Sequence, residues 1–454
     1  EAVVVLEDCV AVVADNPWRA EQAARKARVT CETPEGGLLD SAKVKADQRA
    51  AIAAGGLDSK YAHGDVADAL SGGDVIEVEY SVPFLAHAPM EPLNATVWEE
   101  GGKTHAASGA QDPLAARRAV AEAQGKDLED VVFHPHTMGG GFGRRSGNDA
   151  SRGNWIHQAA KIQAAVGGAV KMVWSREADV RMCAFRPNDV VRMRGKLGPD
   201  GKPVAWHAQS YGPLMVVPEA TPVYDIPNVA VETVSGDLVL PTAPWRSVDA
   251  SIHAFFVESF IDELAHAAGK DPVAYRMSLL GEHARHQRVL KTVAEMARWD
   301  AGPGVEGGAL GVALFESFGS IVGQIAQVSI HEGRPKVHDV WCAIDCGLAV
   351  NPNSVEAQMQ GGIVFGLTAA LYGEITLDQG KIVQSNFHDY RMIRFGDAPR
   401  IHVEILSTPD VPLGGAGEPG TPPIAPAVAN ALARLRPRDR DLPLMPLVPA
   451  GSGA

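Results

Sequence analysis

Short β-branched runs alternate with Pro-started, Gly-stopped helical runs along this 454-residue chain, but off the roughly 30-residue beat of repeating strand–helix–strand units. That irregular alternation argues against a doubly wound parallel sheet and predicts a mixed α+β chain with two lobes of similar size. The punctuation is clearest at Asp112-Pro113, where Asp is suited to cap a helix and Pro to open it, with Gly125 as the stop. Asp271-Pro272 starts another helix in the same way. Gly198-Pro199-Asp200-Gly201, between apolar runs at 190–197 and 204–210, predicts a hairpin. Residues 251–267 read as an amphipathic helix, with Ile252, Phe256, Phe260 and Leu264 on one stripe.

Further strands are expected at 1–14, 75–82, 131–133 and 169–174, and a helix at 17–29. A second β/α series follows, with strands at 325–330, 337–344, 381–387 and 401–406 and helices at 355–371 and 425–434. Residues 32–78 are rich in Gly, Asp and Lys with no sustained period and read as a linker or surface excursion. The apolar run at 361–371 falls well short of the ~20 residues that span a bilayer, so no membrane anchor is expected. Glu1 stands where an initiator Met is usual, and the chain reads as a processed or incomplete product.

With 41 Lys plus Arg against 55 Asp plus Glu, the net charge of −14 argues against a nucleic-acid partner, which needs a basic face. The five cysteines, Cys9, Cys31, Cys183, Cys342 and Cys346, are too scattered for a disulfide framework or for the Cys-x4-Cys-x2-Cys run of an iron–sulfur centre. Cys342 and Cys346 lie in an apolar strand and read as core thiols rather than metal ligands.

Three glycine-rich sites carry the chemistry. In Gly139-Gly140-Gly141-Phe142-Gly143-Arg144-Arg145, successive backbone N–H groups suit an anion nest, and the two forked guanidiniums suit an oxyanion. The run lacks the spacing of a Walker loop or a Rossmann fingerprint, and a tight turn with solvated arginines is the alternative. In Pro244-Trp245-Arg246-Ser247, an Arg at a helix N-terminus meets the positive end of the macrodipole, and either an anion or water must offset it. In Gly414-Gly415-Ala416-Gly417-Glu418-Pro419-Gly420, one carboxylate stands in a stiff loop and suits a general base, or is simply a solvated loop residue.

Taken together, HAPMEPLNATV (87–97), GAQDP (109–113), MGGGFGRR (138–145), PWRSVDA (244–250), DCGLAVNP (345–352), QMQGGIVFGL (358–367) and GAGEPGTPPIAPAVANAL (415–432) resemble one family. It is that of the molybdenum-cofactor-binding large subunits of the xanthine dehydrogenase/aldehyde oxidase group, in the isoquinoline 1-oxidoreductase and membrane-associated aldehyde dehydrogenase branch. The resemblance implies two elongated molybdopterin-binding lobes with the cofactor site between them. Their expected extents are 79–300 and 301–436, preceded by the tail of an α/β hammerhead-type domain (1–34) and a linker (35–78), and followed by an irregular tail (437–454).

The same resemblance implies the site. Gln111 matches the glutamine that hydrogen-bonds the metal's apical oxo ligand, Arg246 an arginine at the substrate end, and Glu418 the catalytic glutamate. Gly139, Gly140, Gly141, Phe142, Gly143, Arg144, Arg145, Gln358, Gly415 and Gly417 match cofactor-binding positions, and no side chain ligates the molybdenum. The implied reaction oxidises an aldehyde to a carboxylic acid or hydroxylates an N-heterocycle (azaarene) next to nitrogen, with water as oxygen source. The implied cofactor is molybdenum–molybdopterin in its cytosine dinucleotide form. The implied partners are a small subunit with [2Fe–2S] centres and a membrane cytochrome c subunit, on the periplasmic side, with a cytoplasmic location as the alternative. A catalytically silent cofactor-binding chain of a split molybdoenzyme is the competing reading.

Overall fold

Among the described residues, the strand-forming runs assemble into one five-stranded sheet, two four-stranded sheets and two short hairpins. The structure, a computed structural model, describes residues 2–28, 30, 33, 37–146, 154–212, 215–234, 236 and 239–445. In the five-stranded sheet the order is Asp58–His63, Val229–Val234, Pro203–Tyr211, Asp189–Leu197, Val75–Val82, with one parallel pairing, between Pro203–Tyr211 and Val229–Val234. One four-stranded sheet runs Gly308–Ser317, Ser320–His331, Arg334–Asp345, Arg400–Leu406, and the other Val131–Pro135, Lys103–Ser108, Asn94–Glu100, Val170–Val173.

Each four-stranded sheet contains one parallel pair, and a parallel pair needs a crossover. The helices Pro113–Gln124 and Pro352–Leu371 supply it. The first is capped as expected, with the Asp112 side chain on the N–H groups of Leu114 and Ala115 and Gly125 left-handed at the end. The hairpin at 198–201 also forms, joining Asp189–Leu197 to Pro203–Tyr211. The mixed α+β class holds.

Helix Ala250–Ala267 departs from the amphipathic expectation, since fifteen of its eighteen residues are buried. It is covered on more than one side. A Cβ on Gly195 of the five-stranded sheet would lie 3.0 Å from Phe260, while Leu314 N of the facing four-stranded sheet donates to Glu258 Oε2 at 2.9 Å. Arg276 Nε donates to the same oxygen at 2.9 Å and the Tyr224 hydroxyl to Oε1 at 2.7 Å. The Glu258 carbonyl accepts from Asn430 Nδ2 at 3.1 Å, which brings helix Ile424–Leu432 onto the same helix. That contact is close, because a Cβ on Gly311 would stand 2.2 Å from both Ala427 O and Ala431 N.

The linker expected over 35–78 is instead built into the fold. Helix Ser41–Ala54 buries Val44, Gln48 and Ile52, and Asp58–His63 is an edge strand of the five-stranded sheet. Only three of the helix's fourteen side chains are buried, and one of them, Gln48, exchanges amide hydrogen bonds with Asn188 at 3.2 and 2.8 Å. Such a thin apolar stripe leaves no sustained period to read. The strand expected at 381–387 shrinks to Lys381–Ile382, because Asp389 Oδ1 gathers the N–H groups of Ser385 and Asn386 into a turn. The helix expected at 17–29 ends at Ala24; it buries no side chain, so nothing in the core extends it. Residues 437–445 lack regular structure but are docked. Arg438 NH2 donates to Asp262 at 2.5 Å, Arg440 pairs with Glu263 at 2.6 Å, and Leu442 and Leu444 are buried. Among the described residues, no helix is long and apolar enough to cross a membrane.

Arg276→Leu leaves the Glu258 carboxylate buried without its cation. The expected loss of stability is about 3–5 kcal/mol, read by chemical denaturation, against near-neutral effects for exposed arginines.

Candidate active site

The glycine run follows strand Val131–Pro135 and is wrapped by the segment His87–Gln111. Glu91 Oε2 accepts from Gly139 N at 2.6 Å, and a Cβ on Gly139 would lie 2.4 Å from Glu91 Cβ. A Cβ on Gly141 would lie 2.5 Å from Gln111 Oε1. On Gly143, whose φ is +99°, it would lie 1.9 Å from Pro244 O. These glycines are therefore required for close approach rather than for flexibility.

The anion nest is present, and this chain fills it. Gln111 Oε1 accepts from Gly143 N at 3.1 Å and from Arg145 N at 3.3 Å. Two backbone donors on one amide oxygen orient the group, so its NH2 faces away from the loop. Among the described residues that NH2 has no acceptor.

The two arginines differ from expectation. Arg145 is fully buried, and its guanidinium donates to Gly109 O at 3.2 Å, Glu91 O at 2.9 Å and Pro92 O at 3.1 Å, with the Glu91 carboxylate at 3.2 Å. Burial opposes ionisation of Glu91, yet the Gly139 N–H, the Asn94 amide and Arg145 outweigh it and hold that carboxyl below its ordinary range. Arg144 is buried as well, with its guanidinium 5.7 Å from the Trp155 ring and 5.8 Å from the Trp174 ring. Both side chains are buried behind the loop, so neither is the solvated arginine of the alternative reading.

Phe142 has φ +53°, unusual for a bulky residue, and its ring stacks on Phe365 at 4.5 Å. Phe365, on helix Pro352–Leu371, stacks in turn near Trp245 at 4.6 Å. The aromatic group joins the glycine loop, the Pro244–Ser247 segment and the second lobe. His87 holds Pro244, with Nε2 2.8 Å from its carbonyl oxygen. Burial pushes the His87 pKa down to about 3, so the ring is neutral and donates.

Arg246 meets carbonyl oxygens rather than an anion. Its Nε donates to Gly417 O at 3.0 Å, and NH2 donates to Gly417 O, to Gln358 O at 3.2 Å and to Gln358 Oε1 at 3.0 Å. Arg246, Gln358 and Gly417 thus form one cluster, in which Arg246 holds the loop just before Glu418. Next to it Ser247 N donates to Glu418 Oε2 at 2.8 Å, and Ser247 Oγ donates to Glu418 O at 2.8 Å. Ser247 (φ +78°) and Val248 (φ +44°) are both left-handed, and this backbone aims the Ser247 N–H at the carboxylate. Gly415 anchors the other end of the loop, donating to Phe318 O at 2.8 Å and accepting from Ser320 Oγ at 2.6 Å.

The three glycine-rich sites are therefore contiguous, from Gln111 through Gly143 and Pro244 to Arg246, Gly417 and Glu418. The Gln111 NH2 and Glu418 Oε1 are a donor and an acceptor without protein partners among the described residues, as are the buried Trp245 Nε1 and Thr421 Oγ1 beside them. They fit a cofactor carrying an oxygen acceptor and a proton to be removed. No described group of three His, Cys, Asp or Glu side chains could hold a metal directly. Cys342 and Cys346 are buried thiols, and burial pushes Cys342 up to about 12; Cys31 lies outside the described residues. Residue-by-residue reading gave no role to Ser247, His87, Glu91 or Phe365. For His87 and Glu91 the signal lay in their shared motif; the left-handed Ser247 has no sequence signal.

Residues 46–279 match the molybdopterin cofactor-binding domain, and residues 286–399 match a second molybdopterin cofactor-binding domain. The chain belongs to the molybdopterin-binding large subunits of the xanthine dehydrogenase/aldehyde oxidase family. It is 31% identical over 418 residues to the isoquinoline 1-oxidoreductase subunit beta of Brevundimonas diminuta, covering 86% of this chain and 52% of that one. It is 27% identical over 424 residues to the membrane-bound aldehyde dehydrogenase [pyrroloquinoline-quinone] of Gluconacetobacter polyoxogenes, covering 83% and 54%. The chain spans about half the length of these curated relatives. The fold is shared with quinoline 2-oxidoreductase from Pseudomonas putida 86, with a TM-score of 0.80 at 16% identity, covering 95% of this chain and 83% of that one.

Because Arg145 is interior, Arg145→Met is expected to lower the midpoint of thermal unfolding before any effect on cofactor content. Loss of molybdenum from a protein of unchanged stability would instead restore a phosphate role.

Proposed function

We propose that this chain is the cofactor-binding large subunit of a molybdenum hydroxylase that oxidises an aldehyde to a carboxylic acid or hydroxylates an N-heterocycle next to its nitrogen. One observation carries the reading: Glu418 is held through one carboxylate oxygen by Ser247 N, while the other stays open beside the glycine loop. The names of the relatives, an isoquinoline 1-oxidoreductase subunit and an aldehyde dehydrogenase, support both substrate classes. When bound, the molybdenum cofactor supplies the oxygen transfer, with water as source, and takes up two electrons.

The chain's own residues do the rest. Glu418 receives a proton at Oε1, while Ser247 N–H fixes the carboxylate plane and Arg246 fixes the Gly417 peptide before it. The Gln111 NH2 would help hold the cofactor, and Gly139–Gly143 would let the backbone approach it. The stacked Phe142, Phe365 and Trp245 keep water from that wall. Electrons leave through a small iron–sulfur subunit and a membrane cytochrome c on the periplasmic side, and the pterin carries cytosine dinucleotide. The spacing of the five cysteines in these 454 residues, none of it a cluster-binding run, supports a separate relay.

Glu418→Gln keeps size and polarity but removes the base. The cofactor-loaded complex is expected to retain its molybdenum and its fold while kcat falls about 10²–10⁴-fold, the usual contribution of a general base. Turnover within a few-fold of wild type would make Glu418 a structural loop residue and favour the silent-scaffold reading.

A further inference from the structure

Glu418 stands in a loop with Gly415, Gly417 and Gly420 around it, so the backbone by itself does little to fix the carboxylate. Position 420 has no room for a side chain, since a Cβ there would lie 3.1 Å from Met359 Cα on helix Pro352–Leu371. Hydrogen bonds to the loop's carbonyls supply the constraint instead. Thr421 N and Ser247 Oγ donate to Glu418 O at 3.0 and 2.8 Å, and Arg246 Nε donates to Gly417 O at 3.0 Å. The two ends of the loop are held by one strand, Ser320–His331. Gln324 Nε2 donates to Gly420 O at 2.8 Å, and Ser320 Oγ donates to Gly415 O at 2.6 Å. These two residues are four apart on the strand, share one of its faces and are fully buried.

Gln324 is a poor choice for stability alone. Its Oε1 is buried without a hydrogen-bond partner among the described residues, and its Nε2 also lies 3.9 Å from Cys342 Sγ. A buried acceptor left unsatisfied costs stability that an apolar side chain of similar size avoids. What the amide adds is the donor on Gly420 O. We infer that Gln324, with Ser320, is a positioning residue for Glu418: the pair pins both ends of the 415–420 loop, so that one carboxylate oxygen stays on Ser247 N and the other faces the pocket. Both act through Glu418, and the inference rests on Glu418 being the base. Once the Gly420 carbonyl is released, the glycines at 417 and 420 turn more freely and the bond from Ser247 N to Glu418 Oε2 opens more often.

Gln324→Met keeps the volume and removes the donor together with the orphaned acceptor, so the midpoint of thermal unfolding is expected to hold or rise. Hydrogen–deuterium exchange of the purified complex is expected to quicken about three- to tenfold in segments 415–421 and 244–250, the worth of one hydrogen bond, and to stay unchanged in the five-stranded sheet. In the loaded complex kcat is expected to fall about tenfold or more at retained molybdenum content, with KM within about threefold of wild type. Added to Glu418→Gln, Gln324→Met is expected to bring no further loss, because the group it positions is gone. Ser320→Ala releases the other end of the loop and is read in the same way, which keeps the test decisive if Gln324→Met does not fold. Unmoved exchange in these segments, a wild-type kcat, or the full loss repeated on top of Glu418→Gln overturns the inference. If Glu418→Gln by itself retains turnover, the assignment of the base fails separately, since exchange is read without turnover.

Discussion

The arrangement depends on a charge buried where two sheets and three helices meet. Glu258 is taken out of water completely, which costs several kcal/mol unless its oxygens are filled. Tyr224, Arg276 and Leu314 N fill them, and the Glu258 carbonyl takes Asn430 from helix Ile424–Leu432. These partners come from both lobes, so helix Ala250–Ala267 can satisfy Glu258 in one place only. The loops of the site extend from the starts of the two helices so joined. Ser247 precedes one, Glu418 precedes the other, and their contact follows from the way the helices pack.

Backbone atoms shape most of the pocket. Gln111 reads the N–H groups of Gly143 and Arg145, Arg246 reads the carbonyls of Gly417 and Gln358, and Ser247 offers its own N–H to Glu418. Left-handed conformations at Phe142, Ser247 and Val248 cost about 1–3 kcal/mol each and sit in the walls of this pocket. The interior arginines and the aromatic stack supply the packing that holds them. Among the groups this pocket presents are one amide donor and one carboxylate acceptor, which suit a cofactor that carries the redox step itself.

Much of the fold was legible where local chemistry decides it. Asp112-Pro113, Asp271-Pro272 and the Gly-Pro-Asp-Gly turn each specify a boundary through caps or fixed φ, and all three form. Helix Ser41–Ala54 was not legible, since Gln48 and Asn188 pair across 140 residues and a polar core contact leaves no apolar period. Helix Ala250–Ala267 showed a stripe, but the sheets covering its other faces lie far away in sequence. At the site, Glu418 and the glycines stood out by isolation and steric need. The burial of Arg144 and Arg145 was not legible, because the carbonyls that Arg145 binds belong to Glu91, Pro92 and Gly109, all more than thirty residues away in sequence.

The central claim is that the loops at 139–145, 244–247 and 414–420 are walls of one molybdenum-cofactor pocket. Anomalous diffraction at the molybdenum edge from crystals of the loaded complex tests it directly. A single peak is expected per chain, facing both the Gln111 amide and the open oxygen of Glu418. A peak remote from either group, or molybdenum bound at another place in the chain, contradicts the account.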